Sequence, residues 1–332
     1  MSSGLILLAA LQAVTLESGL TTEIRGLHAA DSAVVWAGAR NGWYARTADG
    51  GRSWTADTVP GAGPLFFVDV HAVNAESAYL LGQHFEGGLA RIYKTVDGGA
   101  TWTVQFESTH PDIFLDGLAF WTAERGLAFG DPIEGAFVML RTDDGGATWD
   151  RVAPQRIPAP LPGEAAFAAS GTAITVHADR LAWIVTGGGP IARVLLTTDA
   201  GHTWAAADTP LAGGRTAGLF AVAFRDALNG LAVGGDYTRP EGVDDNVMVT
   251  RDGGRTWTLA GRAEPAGVRW GLAVVPGAGT WIAVGPSGVG TSRDGHTWIA
   301  LDAPGFNTVT AAGPAAVWAA GGDGRVARLR LP

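Results

Sequence analysis

One phrase returns along this chain and limits what it can fold into. It reads Thr-Arg-Asp-Gly-Gly-Arg-Thr-Trp at Thr250–Trp257, and related octets stand at Thr47–Trp54, Thr95–Trp102, Thr142–Trp149 and Thr197–Trp204. A sixth copy, Ser292–Trp298, is one residue shorter between Asp294 and its tryptophan. The aspartates are Asp49, Asp97, Asp144, Asp199, Asp252 and Asp294; the tryptophans are Trp54, Trp102, Trp149, Trp204, Trp257 and Trp298. The tryptophans recur roughly every 40 to 55 residues, a period that belongs to arrays of small β units rather than to one continuous fold.

Each phrase has the parts of a strand, a tight turn and a second strand. The aspartate can accept hydrogen bonds from backbone N–H groups a few residues on. The glycines after it supply positive φ, which a residue with a Cβ resists. Thr-Trp then opens a strand, since both residues fit a half-buried pleated surface. A tryptophan at the same place in every unit is expected to pack between neighbouring units. All six aspartates and tryptophans therefore read as scaffold rather than as catalytic groups.

The phrase resembles the Asp-box, or BNR repeat, of sialidases and related β-propellers. Over nearly its whole length the chain is similar to the BNR-like propellers that include the Ycf48/Hcf136 photosystem II assembly factors. The resemblance implies an all-β fold of four-stranded blades. It says little of function, because such boxes occur in hydrolases and in binding proteins alike.

Blade by blade, the chain reads as Glu23–Asp57, Phe66–Glu107, Ile113–Ala153, Ala165–Asp208, Ala217–Ala260 and Gly267–Leu301. A proline-rich connector, Pro154–Pro162, precedes the fourth unit and reads as an extended crossing. The remainder, Phe306–Leu331, offers three strands and no box. Val14–Glu17 is available as the missing outer strand, which would close the ring and remove an open sheet edge. Seven blades are thus expected over 14–332; six blades with a loose tail is the alternative. Residues 1–13 read as a possible signal peptide around the apolar run Leu5–Leu11, which implies export to the periplasm or exterior, although no basic residue precedes it; the alternative is an ordinary strand or a misplaced start in a cytoplasmic chain. The run is too short to span a bilayer.

Composition narrows function mostly by exclusion. A formal net charge of −9 argues against a nucleic-acid partner, which needs a basic footprint. The chain has no cysteine, hence no disulfide and no thiolate chemistry. Its seven histidines show no metal-ligand spacing. Gly322–Ala327 matches the letters of a dinucleotide fingerprint, but the chain ends five residues later with no room for the helix that would hold a pyrophosphate. No cofactor or metal is expected, and the oligomeric state is not legible.

If each box joins the third and fourth strands of a blade, all boxes share one face of the disk. The second-to-third-strand loops then lie on the other face. Three of them are longer than a turn requires: Gln83–Gly88, Gly130–Gly135 and Gly235–Asn246. Function gathers on loops carried by a rigid scaffold, so Asp131, Asp236 and Tyr237 become rim candidates. Aligning the first strands gives Arg25, Asp69, Asp116, Phe167, Phe220, Trp270 and Asn307 as a ring near the channel mouth. One arc is polar and the other aromatic, the usual form of a ligand site; the alternative is that Arg25 pairs with Asp69 and the aromatics simply plug the channel. A shift of one residue in this alignment would turn a side chain to the opposite face.

The leading expectation is a non-enzymatic binding or assembly propeller with a protein or glycan partner on the face away from the boxes. The alternative is a glycan-acting hydrolase using Asp69 and Asp116 as paired carboxylates. A sialidase is disfavoured at the residues that matter, because the region before the first blade reads Thr22-Glu-Ile-Arg-Gly26 without a Phe/Tyr-Arg-Ile-Pro motif.

Overall fold

The computed structural model describes residues 13–331, so the proposed export segment lies outside the described residues but for its last position. Seven four-stranded antiparallel sheets form the molecule. From the inside outward, blade one is Ile24–Ala29, Val35–Ala39, Trp43–Thr47 and Thr55–Thr58. The inner strands of blades two to six are Phe66–Ala72, Leu115–Phe120, Ile174–His177, Ala217–Phe224 and Gly271–Val274. Blade seven is Thr308–Gly313, Ala316–Ala320 and Val326–Leu329, and its outer strand is Ala13–Leu16 from the other end of the chain. Val14 stands opposite Arg328 and Leu16 opposite Val326. The Ser18 hydroxyl then donates to the Gly324 carbonyl at 2.9 Å, fixing the chain as it leaves this sheet.

The inner strands of successive blades pack against one another in a closed ring. Second strands are covered on both faces by neighbouring blades, which is why they read as continuous apolar runs rather than alternating ones. Ala78–Gln83 and Trp281–Gly285 are buried at every position. Among the described residues no helix is long and apolar enough to cross a membrane.

The repeated turns have one geometry. In blade one the Thr47 hydroxyl donates to Asp49 Oδ1 at 2.9 Å and accepts from the Gly51 N–H. Asp49 then accepts from both the N–H and the hydroxyl of Ser53. Thr95, Asp97 and Thr101 repeat this, as do Thr142, Asp144 and Thr148. The shorter sixth copy keeps the plan, with Thr297 reaching Asp294 from three residues away. In blades one to five the outer strand starts after the tryptophan, at Thr55, Thr103, Asp150, Ala205 and Thr258, not at the Thr-Trp pair itself.

The turns also clasp each blade to the one before it. Tyr44 of blade one donates its hydroxyl to the Gly99 carbonyl in the turn of blade two, at 2.9 Å. Tyr79 of blade two does the same to Gly145 of blade three, and the Trp183 indole of blade four reaches Gly253 of blade five. The tryptophans follow suit. Trp102 sits 5.9 and 5.1 Å from the rings of Trp36 and Tyr44 in blade one, and Trp54 packs edge-on to Trp318 of blade seven. Gly99 shows why the second glycine is needed: its φ is +92°, and a Cβ there would lie 2.6 Å from the Tyr44 hydroxyl oxygen.

The connector before blade four is anchored rather than merely extended. It opens with a short 3-10 turn, Pro154–Arg156. Glu164 at its end forms a buried ion pair with Arg193 of blade four. Glu164 also accepts from Thr186 Oγ1 at 2.6 Å and from the Leu161 N–H at 2.7 Å, while Arg193 donates to the Ala159 carbonyl. A buried pair whose carboxylate is hydrogen-bonded at both oxygens fixes the path of the loop without adding much net stability.

Candidate binding site at the channel mouth

Four inner strands carry a β-bulge at the same level, and the bulged residues are Arg25, Val68, Asp116 and Phe220. A bulge re-aims one side chain out of the alternating pattern. Here Arg25 and Phe220 reach the channel mouth, while Val68 and Asp116 stay buried. Blade two departs from the sequence alignment at this point. Its bulge is Val68, so Asp69 corresponds to Gly26 of blade one and lies one position deeper. His28 and His71 are equivalent by the same register, and their rings stack at 4.7 Å.

The largest departure from expectation is in blade four. Its inner strand begins only at Ile174, because Ala168–Thr172 leaves the blade and crosses the channel. This plug is tied to the other blades by named bonds. Arg25 Nη1 of blade one donates to the Ala168 carbonyl at 2.9 Å. The Ser170 hydroxyl donates to the Trp270 carbonyl of blade six, and Thr308 Oγ1 of blade seven donates to the Ser170 carbonyl. The N–H groups of Val222 in blade five and Leu272 in blade six end on Thr172. Gly171, at φ +71°, lies so close to the blade-two Asp69 carboxylate that a Cβ would collide with it.

Above the plug is a cavity of about 450 Å³. Ala168 and Ala169 form part of its lining, together with Arg25, Asp131, Phe167, Phe220, Tyr237 and Trp270. The structure thus brings six of the nine sequence-derived binding candidates into one concavity. Phe167 and Phe220 stack with centroids 4.4 Å apart, and Tyr237 stands edge-on to both at 5.9 and 6.5 Å. Phe85 and Phe114 complete the aromatic lining. Neither was singled out from the sequence, although Phe85 lies in the enlarged loop Gln83–Gly88. Phe85, Asp131 and Tyr237 all stand at or beside second-to-third-strand connections. The cavity therefore opens on the face away from the repeated turns.

Three candidates do not line this cavity. Asp69 lies below the plug, buried, accepting from the N–H groups of Val70 and Leu118 at 2.7 and 2.8 Å. It borders a separate channel space of about 300 Å³ with His28 and His71. Asp116 is completely buried, and neither of its carboxyl oxygens has a hydrogen-bond partner among the described residues. Asp236 turns back onto its own loop, accepting from the N–H and hydroxyl of Thr238. Asn307 is buried too, donating to the Ile24 carbonyl. Of the expected polar arc only Arg25 lines the cavity, joined there by the rim candidate Asp131. The Asp69 and Asp116 carboxylates do not share an open site of the kind a glycosidase requires.

The charges at the mouth are unequally satisfied. Arg25 does not pair with Asp69. It pairs with Glu23 at 3.0 Å, and Glu23 in turn holds Arg40 at 2.8 Å. The Arg25 guanidinium also lies 5.1 and 5.0 Å from the ring centroids of Phe66 and Phe85. Burial draws the Arg25 pKa down and Glu23 draws it back up. Asp131 accepts one bond, from the Ala166 N–H at 2.9 Å on Oδ1, and has no cationic partner among the described residues. Burial pushes its pKa up to about 6. Burial drives Asp116 well above the ordinary carboxylate range, and the neighbouring Asp131 adds to this.

A plugged ring of seven four-stranded blades, with a concavity at one mouth, makes the chain a seven-bladed β-propeller. Among solved structures it is similar to YCF48 bound to a D1 peptide, at 16% identity and a TM-score of 0.66 over 97% of each chain. It is likewise similar to YCF48 from Cyanidioschyzon merolae, at 15% identity and a TM-score of 0.67, covering 97% of this chain and 99% of that one. The WD40 β-propeller domain of Doa1 aligns over 98% of each chain at 13% identity and a TM-score of 0.65. At these identities the likeness carries the fold. No family model matches the chain, and no curated protein matches it.

Proposed function

We propose that this propeller is a protein-binding module that receives an extended segment of its partner in the mouth cavity above the plug. The observation that carries this reading is the cavity itself: about 450 Å³, walled by the Phe167–Phe220 stack, Tyr237, Trp270, Phe85 and Phe114, with a few polar groups set among them. A cleft with apolar walls and sparse polar groups is the general form of a recognition site. Phe85 and Tyr237, 42% and 45% exposed, stand ready at the rim as contact residues. That a similar propeller, YCF48, has been solved with a peptide bound supports a peptide as the occupant.

A hydrolase built on Asp69 and Asp116 has less support. The first carboxylate lies beneath the plug and the second is sealed within the protein, so no substrate in the mouth cavity meets both.

The test is a peptide array probed with the wild-type protein and with Phe220→Ala. Aromatic anchors in a pocket carry most of the binding energy, so the variant is expected to lose about tenfold or more in affinity for the peptides selected by wild type. Ile299→Ala, 63% exposed on the outer strand of blade six, is the control expected to bind normally. Undiminished binding by Phe220→Ala would place the site elsewhere.

A further inference from the structure

The chemistry of the occupant can be narrowed from which groups in the cavity already have partners. Resting on the binding reading above, we infer that the mouth cavity recognises a cationic side chain, lysine or arginine, held between the aromatic walls with its charge against Asp131.

Six aromatic side chains face one space: Phe85, Phe114, Phe167, Phe220, Tyr237 and Trp270. Aromatic faces carry negative potential, and a cation within about 6 Å of a ring centroid is attracted to them, more strongly as water is excluded. Such a lining alone would also suit an apolar side chain. The polar groups decide between the two.

Arg25 is the cation bordering the cavity, and its charge is committed. It is paired with Glu23, bonded to the plug at Ala168 and laid against Phe66 and Phe85. On the acidic side nothing is balanced. Asp131 Oδ2 has no hydrogen-bond partner among the described residues, and Asp131 Oδ1 has only a backbone N–H. Behind it Asp116, fully buried, has no partner at either oxygen. Asp116 does not line the cavity, so the free acceptor an occupant can meet is Asp131 Oδ2. A carboxyl with no cationic partner among the described residues, beside an aromatic enclosure, selects a positively charged occupant. A carboxylate or phosphate would meet Asp131 and an arginine already paired with Glu23, which it shares with Arg40.

The inference carries a pH signature. The titratable and charged groups facing Asp131 are Asp116 from the inner strand of its own blade, and Arg25 and Tyr237 across the cavity; Glu134 lies exposed further along its own loop. With Asp131 titrating near pH 6, the cavity presents a carboxylate above that pH and a neutral acid below it. A bound cation favours the ionised form. Cation affinity therefore rises as pH increases through about 6, and binding near that pH releases a proton.

The experiment uses three blocked pentapeptides that share aromatic flanks, with a central lysine, norleucine or glutamate, titrated calorimetrically against the full chain. At pH 7.5 the lysine peptide is expected to bind about tenfold more tightly than the norleucine peptide, with glutamate weakest. At pH 5 the lysine advantage should shrink to about twofold. Asp131→Asn should show that same small advantage at both pH values while still binding the norleucine peptide. Equal binding of all three peptides, lost in Phe220→Ala, would overturn the cation assignment and leave the cavity reading intact. Tightest binding by the glutamate peptide would overturn it as well. No binding by any of the three, with array-selected peptides still bound through Phe220, would likewise refute the cationic occupant; failure of those array peptides to depend on Phe220 would remove the cavity reading with it.

Discussion

At the scale of single residues, carboxyl groups in this protein divide into two populations with opposite pH behaviour. In the repeated turns the hydroxyl and N–H of Ser53 hold Asp49 at about 2, those of Thr101 hold Asp97 there, and the N–H and hydroxyl of Thr148 hold Asp144 there, against an ordinary 3.8. A depressed pKa contributes stability that is present above the unfolded value and lost as pH falls through the folded one. For the turns that window is from about 3.8 down to about 2. Asp131, raised to about 6, behaves conversely: its contribution is fully present below 3.8 and is lost as pH rises through 6. Buried His28 and His71, with lowered pKa values, and Asp69 and Asp116, with raised ones, titrate in wild type and variant alike, so the contribution of Asp131 is read as a difference: the stability of Asp131→Asn relative to wild type is expected to rise as pH increases from about 4 to about 6 and to stay level outside that window. Thermal melts of the two proteins measure this, and a difference that stays constant from pH 4 to pH 7 would contradict the assignment. Trp149→Ala is expected to cost about 3 kcal/mol, the low end for a buried aromatic because Trp149 is only partly buried. Urea unfolding measures it, and a cost below about 1 kcal/mol would remove the tryptophan from the scaffold.

At the scale of elements, the plug is the feature that turns an open channel into a cup. Gly171→Ala should be the most damaging small substitution in it, since φ is +71° and the new methyl meets the Asp69 carboxylate. It is expected to speed hydrogen exchange at the Val222 and Leu272 amides, whose acceptors are on Thr172, without affecting the repeated turns. Protection unchanged at both amides would show that the plug does not depend on this glycine. The plug also marks where sequence reading runs out. The turns are legible because Thr, Asp and two glycines specify them locally. The depth of Asp69 is not legible, because a bulge at Val68 adds a residue with no composition signal of its own. Ala168–Thr172 is held by contacts from blades one, two, five, six and seven, and no local pattern encodes those. The one available hint was the unusual length of the segment from Ala165 to His177 with Ser170-Gly-Thr inside it.

At the scale of the whole molecule, seven blades close through one short strand, Ala13–Leu16 on Val326–Leu329. Removing residues through Ser18 deletes that strand and the Ser18–Gly324 hydrogen bond, leaving blade seven with an open edge. This truncation is expected to lower Tm clearly, whereas removal through Gln12 should not; equal melting of the two would refute the closure. A closed ring holds the cup rigid, so an occupant meets preformed walls rather than having to order them. The most direct test of the mouth as the binding site is to place the photo-crosslinking residue benzoylphenylalanine at Tyr237 or, separately, at Ile299, and irradiate each with an array-selected peptide. The expected result is a crosslink from Tyr237 that is competed away by unlabelled peptide, with none from Ile299. Crosslinking from Ile299 alone would contradict the account.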